Sequence, residues 1–150
     1  MCKKGLDFIK TVANYMMKTD GYDRLMKDVI FTAGGSGHAT AELKVASEHL
    51  NRGGGLHGGF IATLIDQVTT IGLMTHPKNP SPGVSVDLQV SYLKGAREGD
   101  EIIIDAKTLK SGANLAFTVC TLTSKKDGSI IAQGNHTKFV GQGAPKAKDA

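Results

Sequence analysis

Phe60-Ile61-Ala62-Thr63-Leu64-Ile65-Asp66-Gln67-Val68-Thr69-Thr70-Ile71-Gly72-Leu73-Met74 is the stretch on which the fold turns. Its apolar residues fall at helical spacing and cover nearly the whole circumference, which is the pattern of a helix buried on all sides. Asp66 and Gln67 interrupt it, and the run is too short to cross a bilayer. His76-Pro77 and the residues after it end the helix. A helix with no solvent face has to be wrapped by other elements. The remaining chain supplies strands for that purpose.

Downstream, Val84, Val86, Leu88, Val90 and Tyr92 alternate with Ser85, Asp87, Gln89 and Ser91, the period of a strand. Residues 101–109, 115–124 and 129–140 read as three more strands. Ser111-Gly112-Ala113-Asn114 and Lys126-Asp127-Gly128 are the turns between them. Upstream, residues 28–33 and 39–47 form a hairpin around Gly34-Gly35-Ser36-Gly37. Residues 5–18 carry Leu6, Phe8, Ile9, Val12, Ala13, Met16 and Met17 at three- and four-residue intervals. They read as an amphipathic helix that packs on the body rather than anchoring in a membrane, with a helical continuation toward Lys27. The expected class is α+β: a curved, six-stranded antiparallel sheet around one long helix, its last four strands a meander. A single domain spans 1–141, and 142–150 is a loose Gly/Pro/Lys/Ala tail.

Composition narrows the function. With 18 Lys and Arg against 14 Asp and Glu the net charge is +4, which suits anionic partners. The basic residues are scattered and aromatics make up 5% with no Trp, so nucleic-acid binding is not expected. Two cysteines, Cys2 and Cys120, have no ligand spacing for zinc and no disulfide framework. No metal site is expected. The N-terminus lacks an apolar signal core, so the cytoplasm is the expected location, with a mitochondrial address left open.

Four features carry possible chemistry. Asp66 lies mid-helix on a stripe with Gly59, Thr63, Gln67 and Thr70. Burial would raise its pKa and suit a general base, or it is a structural hydrogen-bond acceptor. Gly53-Gly54-Gly55-Leu56-His57-Gly58-Gly59 opens the helix. Free N–H groups at such a start make an anion site or an oxyanion hole, or the run is only a flexible connection. It lacks the Lys-Ser/Thr of a phosphate loop. His57 is a base or a cap. Ser85 and Asp87 point either into a site or into solvent, and no Gly-x-Ser-x-Gly elbow exists.

Asn51-x-x-Gly54-x-Leu56-His57-Gly58-Gly59, Asp66 seven residues on, and Pro82-Gly83-Val84-Ser85-Val86-Asp87 together resemble the hotdog-fold acyl-coenzyme A thioesterases. Leu115-Ala116-Phe117-Thr118 and Ile131-Ala132-Gln133-Gly134-x-His136-Thr137-Lys138 extend the likeness from about residue 6 to 140. The resemblance implies the hotdog fold and hydrolysis of medium- to long-chain fatty acyl-CoA to fatty acid and CoA. It implies a homodimer with sites at the subunit interface, paired into a homotetramer, without stable membrane insertion. Gly58 would polarise the thioester carbonyl, and Asp66 of the other subunit would act as base or nucleophile. Asn51 and Ser85 would place water and substrate, with His57 beside the carbonyl. Ser85, Asp87, Tyr92 and Lys110 would contact CoA, which is substrate, so no cofactor is expected. Alternatives are a hydrolase of aromatic or short acyl thioesters and a non-catalytic acyl-CoA binding scaffold.

Overall fold

In the computed structural model, which describes residues 5–78 and 81–145, the central helix α2 spans Gly58–Met74. Six strands wrap it in one antiparallel sheet: β1 (Ile30–Gly35), β2 (His38–Lys44), β3 (Val84–Tyr92), β4 (Glu101–Ser111), β5 (Leu115–Ser124) and β6 (Ile130–Phe139). The N-terminal helix α1 covers Leu6–Met17. Cys2, the positions before Gly5 and the last five residues of the expected tail lie outside the described residues.

The helical periodicity of α2 is borne out in its burial. Leu64, Ile65 and Val68 are fully buried, and Ile71 nearly so. Only Gly58, Gly59, Ala62, Asp66 and Gln67 keep appreciable exposure, a narrow stripe at three- and four-residue intervals. Leu64, Ile65, Val68 and Ile71 form one core with Ile102, Ile104 and Ala106 of β4, Cys120 and Leu122 of β5 and Ala132 of β6. The sheet comes close to the helix at Gly134. A Cβ there would lie 3.0 Å from two Ile65 carbons and 3.1 Å from the Gln89 carbonyl oxygen. β1 and β2 meet at a two-residue turn in which Ser36 and Gly37 both have positive φ, the geometry of a type I′ hairpin.

Three expectations change. The strand order is β1-β2-β4-β5-β6-β3, so only β4, β5 and β6 form a meander. β3 crosses over to pair with β6 at the far edge, because the helix and its loop lie between β2 and β3 in the chain. The helical continuation toward Lys27 is a separate 3₁₀ turn at Tyr22–Met26, broken from α1 at Thr19–Gly21. It is strapped onto α2 by Tyr22 Oη–Thr63 Oγ1 (2.8 Å) and by Gln67 Nε2 donating to Asp23 Oδ1 (3.0 Å). Strand β2 ends at Lys44, and the expected continuation becomes a 3₁₀ turn at Ser47–His49.

Candidate active site

His57 is the N-cap of α2, and its Nδ1 accepts from the Gly59 N–H at 2.9 Å. The Gly58 N–H, at the first helical position, has no acceptor among the described residues, as expected for an orphan donor at a helix start. The loop before it is organised by Asn51, whose Oδ1 accepts from Gly53 N (2.9 Å) and Gly55 N (3.2 Å). Tyr92, at the end of β3, donates its hydroxyl to the Gly58 carbonyl at 3.0 Å. The glycine run is therefore a hydrogen-bonded loop that presents one free amide.

The second half of the site is a cluster on α2, β3 and β6. His136 is fully buried on β6. Its Nδ1 lies 2.7 Å from Thr69 Oγ1, and its Nε2 lies 2.8 Å from Ser85 Oγ. Thr69 uses its single proton on the Ile65 carbonyl at 2.7 Å. It therefore accepts from His136 Nδ1–H, which leaves Nε2 as an acceptor for the Ser85 proton. Burial, helped by the nearby Lys138 charge, pushes the His136 pKa down to about 4, so the ring is neutral around pH 7. The chain of donors thus runs Ser85→His136→Thr69→helix carbonyl, and Ser85 Oγ turns lone pairs toward the open side.

Asp66 faces the same cluster. Its Oδ1 lies 3.8 Å from His136 Nε2 and 4.0 Å from Lys138 Nζ. Its side chain is 37% exposed in the single chain, so the full burial expected from the sequence does not hold there. Lys138 is 3% exposed and donates to Thr70 Oγ1 at 2.7 Å. Burial lowers its pKa, and Asp66 opposes that.

Ser85 joins this cluster because of a β-bulge. The register slips between Ser85 and Asp87. Ser85 pairs with Lys138 and Leu88 with His136, on the face toward α2, whereas Asp87 pairs with Thr137 on the outer face. Sequence alternation alone puts Ser85 and Asp87 on one side; the bulge separates them. Lys110 also lies outside: the row Lys110, Phe117, Thr137, Asp87 crosses four strands on the outer face. Of the four expected CoA-contacting residues, one chain therefore brings Ser85 and Tyr92 to the helix side and leaves Asp87 and Lys110 on the other.

Sequence reasoning missed His136, Lys138, Thr69 and Thr70 as site residues. Polar side chains at 136 and 138, alternating with 137 on a strand whose 132 and 134 face the helix, were the available signal. A cavity of about 490 Å³ opens beside the helix start, lined in part by Met17, Tyr22, Leu25, Leu50, His57 and Phe60. Cys120 is no candidate nucleophile, since burial pushes its thiol up to about 12. Asp28, Glu48 and His49 also gather. There, however, His49 Nδ1 accepts from Ala46 N–H (2.9 Å), so Nε2 holds the proton toward Asp28 (3.4 Å), and Lys27 neutralises Glu48. That is an ion-pair network rather than a ligand set.

Comparison with known proteins bears on the family and the fold. The profile of the Thioesterase superfamily matches residues 53–131. Acyl-coenzyme A thioesterase 13 of Mus musculus is 41% identical over 133 residues, covering 89% of this chain and 94% of that protein. A putative esterase of Schizosaccharomyces pombe is 37% identical over 91% of this chain and 85% of its own length. The crystal structure of zebrafish thioesterase superfamily member 2 superposes with a TM-score of 0.88 at 41% identity, over 91% of this chain and 98% of that one. The chain therefore belongs to the thioesterase superfamily and has the hotdog fold, a six-stranded antiparallel sheet around a central helix.

Proposed function

We propose that the protein hydrolyses medium- to long-chain fatty acyl-CoA to fatty acid and CoA, in a homodimer whose subunits share each site. The observation that carries this is the separation of two complementary half-sites. Gly58 and Asp66 lie eight residues apart on α2, about 12 Å along the axis, too far to act on one carbonyl. Ser85 lies on the edge strand β3, whose outer side has no strand partner among the described residues, and Asp66 lies beside His136 and Lys138 of the neighbouring β6. Val84 and Val86 are exposed along β3, and Leu93 just past its end. Pairing two such edges covers them and brings Gly58 of one subunit toward Asp66 of the other. Dimers then join into a homotetramer.

In this reading the Gly58 N–H polarises the thioester carbonyl, a donor worth roughly 3–4 kcal/mol. Ser85, held as an acceptor by His136, binds one proton of a water. Asp66 takes the other as the water oxygen attacks the carbonyl carbon. The tetrahedral oxyanion collapses, the C–S bond breaks, and the CoA thiolate leaves and takes the proton held by Asp66, which restores the carboxylate. The chemistry calls for no cofactor. The cavity beside the helix start has Met17, Leu25, Leu50 and Phe60 in its lining, along with the polar Arg24, Lys27, Glu48 and His49, and the apolar part supports a fatty chain over a short acyl group.

The test is thiol release from a panel of acyl-CoA esters by wild type and Asp66→Asn, with binding measured in parallel. We expect turnover on the longer esters and a loss of at least about 100-fold in Asp66→Asn with binding retained. Binding without turnover in wild type would make the protein an acyl-CoA binding scaffold. A preference for short or aromatic esters would overturn the chain-length assignment. A stable monomer in sedimentation would contradict a shared site.

A further inference from the structure

Lys138 has no part in the steps above, yet it is a cation with 3% exposure in the wall of the site. A desolvated ammonium is costly unless its charge is met, and an apolar residue of similar volume is often neutral or better for stability. Its surroundings are specific. From α2 come Thr70, whose Oγ1 accepts from Nζ at 2.7 Å, and Asp66, whose Oδ1 lies 4.0 Å away. From its own strand comes His136, neutral near pH 7. From β3 come Ser85, in register opposite, and Asp87, on the outer face. Asp66 is the sole carboxylate within ion-pair distance of Lys138 among the described residues. Thr70 spends its proton on the Asp66 carbonyl at 2.7 Å, so it is fixed as an acceptor for Lys138 and locks the ammonium in place.

We propose that Lys138 is a positioning residue: its buried ammonium braces the Asp66 carboxylate and meets its charge when substrate and the second subunit cover the site. The proposal rests on the acyl-CoA hydrolysis reading. In the single chain Asp66 is still partly open to water, at 37% of its side chain. Closing the site removes that water, a change that is costly for a carboxylate whose charge nothing else meets. A fixed cation 4.0 Å away offsets that cost, and more strongly as the surroundings become drier.

The test compares wild type, Lys138→Met, Lys138→Arg, Asp66→Asn and the Asp66→Asn/Lys138→Met double variant. The substrate is the acyl-CoA ester that wild type turns over fastest, and Tm is recorded for each protein. We expect Lys138→Met to hold its Tm and KM while kcat falls about tenfold or more. In the Asp66→Asn background the same substitution should cost nothing further, because its effect runs through the carboxylate. The wild-type kcat should decline on the alkaline side below pH 10.5, where the lowered ammonium loses its proton. Lys138→Arg, charged throughout, should restore part of the rate and lack that decline. An unchanged kcat in Lys138→Met, or a full additional loss in the double variant, would overturn the proposal. Absence of turnover by wild type would instead defeat the hydrolysis reading itself.

Discussion

His136 makes stability depend on pH in a way that can be worked out beforehand. The imidazole is fully buried and takes up its proton at about 4, against 6.5 for the free side chain, chiefly because burial disfavours the charged ring. The unfolded chain binds that proton near 6.5, and the folded chain does not until about 4. Between those values the unfolded state holds more protons, so unfolding free energy falls as pH is lowered through this window and levels off beneath it. The gap is about 2.5 pH units at roughly 1.4 kcal/mol each, so the full loss is about 3–4 kcal/mol. His136→Gln cannot titrate and should lack this component. Urea unfolding of both proteins, in half-unit steps from neutral pH to about 4, gives the difference directly. The exposed carboxylates act on both proteins and cancel. Turnover should fail in the same acid range, since a protonated ring can no longer accept from Ser85. Identical pH slopes in the two proteins, or an imidazole signal that titrates near 6.5 in the folded wild type, would refute the burial argument.

Two further outcomes test the packing and the helix-start loop. Gly134→Ala should destabilise by about 1–3 kcal/mol in urea, because the new methyl meets Ile65, which is fully buried, and the Gln89 carbonyl. Gly95→Ala, where a Cβ meets open space, should stay within about 0.5 kcal/mol. Asn51→Asp keeps the acceptor for the Gly53 and Gly55 amides and should leave Tm nearly unchanged. The same change removes the side-chain N–H₂, and if that group meets water or substrate, the role the sequence resemblance implies for Asn51, kcat/KM should fall about tenfold or more in steady-state assays. An unchanged kcat/KM would confine Asn51 to holding the loop.

Much of the candidate site was legible because some of its parts are local. His57 caps the helix two residues before the amide it binds, and Asn51 ties down glycines two and four residues on. Asp66 stands out as a carboxylate in an apolar run. His136 and Lys138 did not stand out, because polar residues at alternate positions of a strand read as a solvent face. Here that face is turned toward the helix, where Thr69 and Thr70 supply its hydrogen-bond partners from 67 and 68 residues away.

The sequence by itself determined the elements and the class. An all-round apolar helix of this length has to be enclosed, and period-two strands with turn residues between them are what can enclose it. The tertiary structure decided the rest. It sent β3 across to the free edge of β6, where no local pattern directs it. It inserted a bulge that turned Ser85 toward Asp66 and Asp87 away. Periodicity fixes which residues share a face only while the register is regular, and one extra residue in a strand reverses the assignment. The pairing of distant strands and the burial of a histidine and a lysine against one carboxylate are long-range outcomes. They are set by how the sheet closes on its helix, so they appear only when the chain is folded.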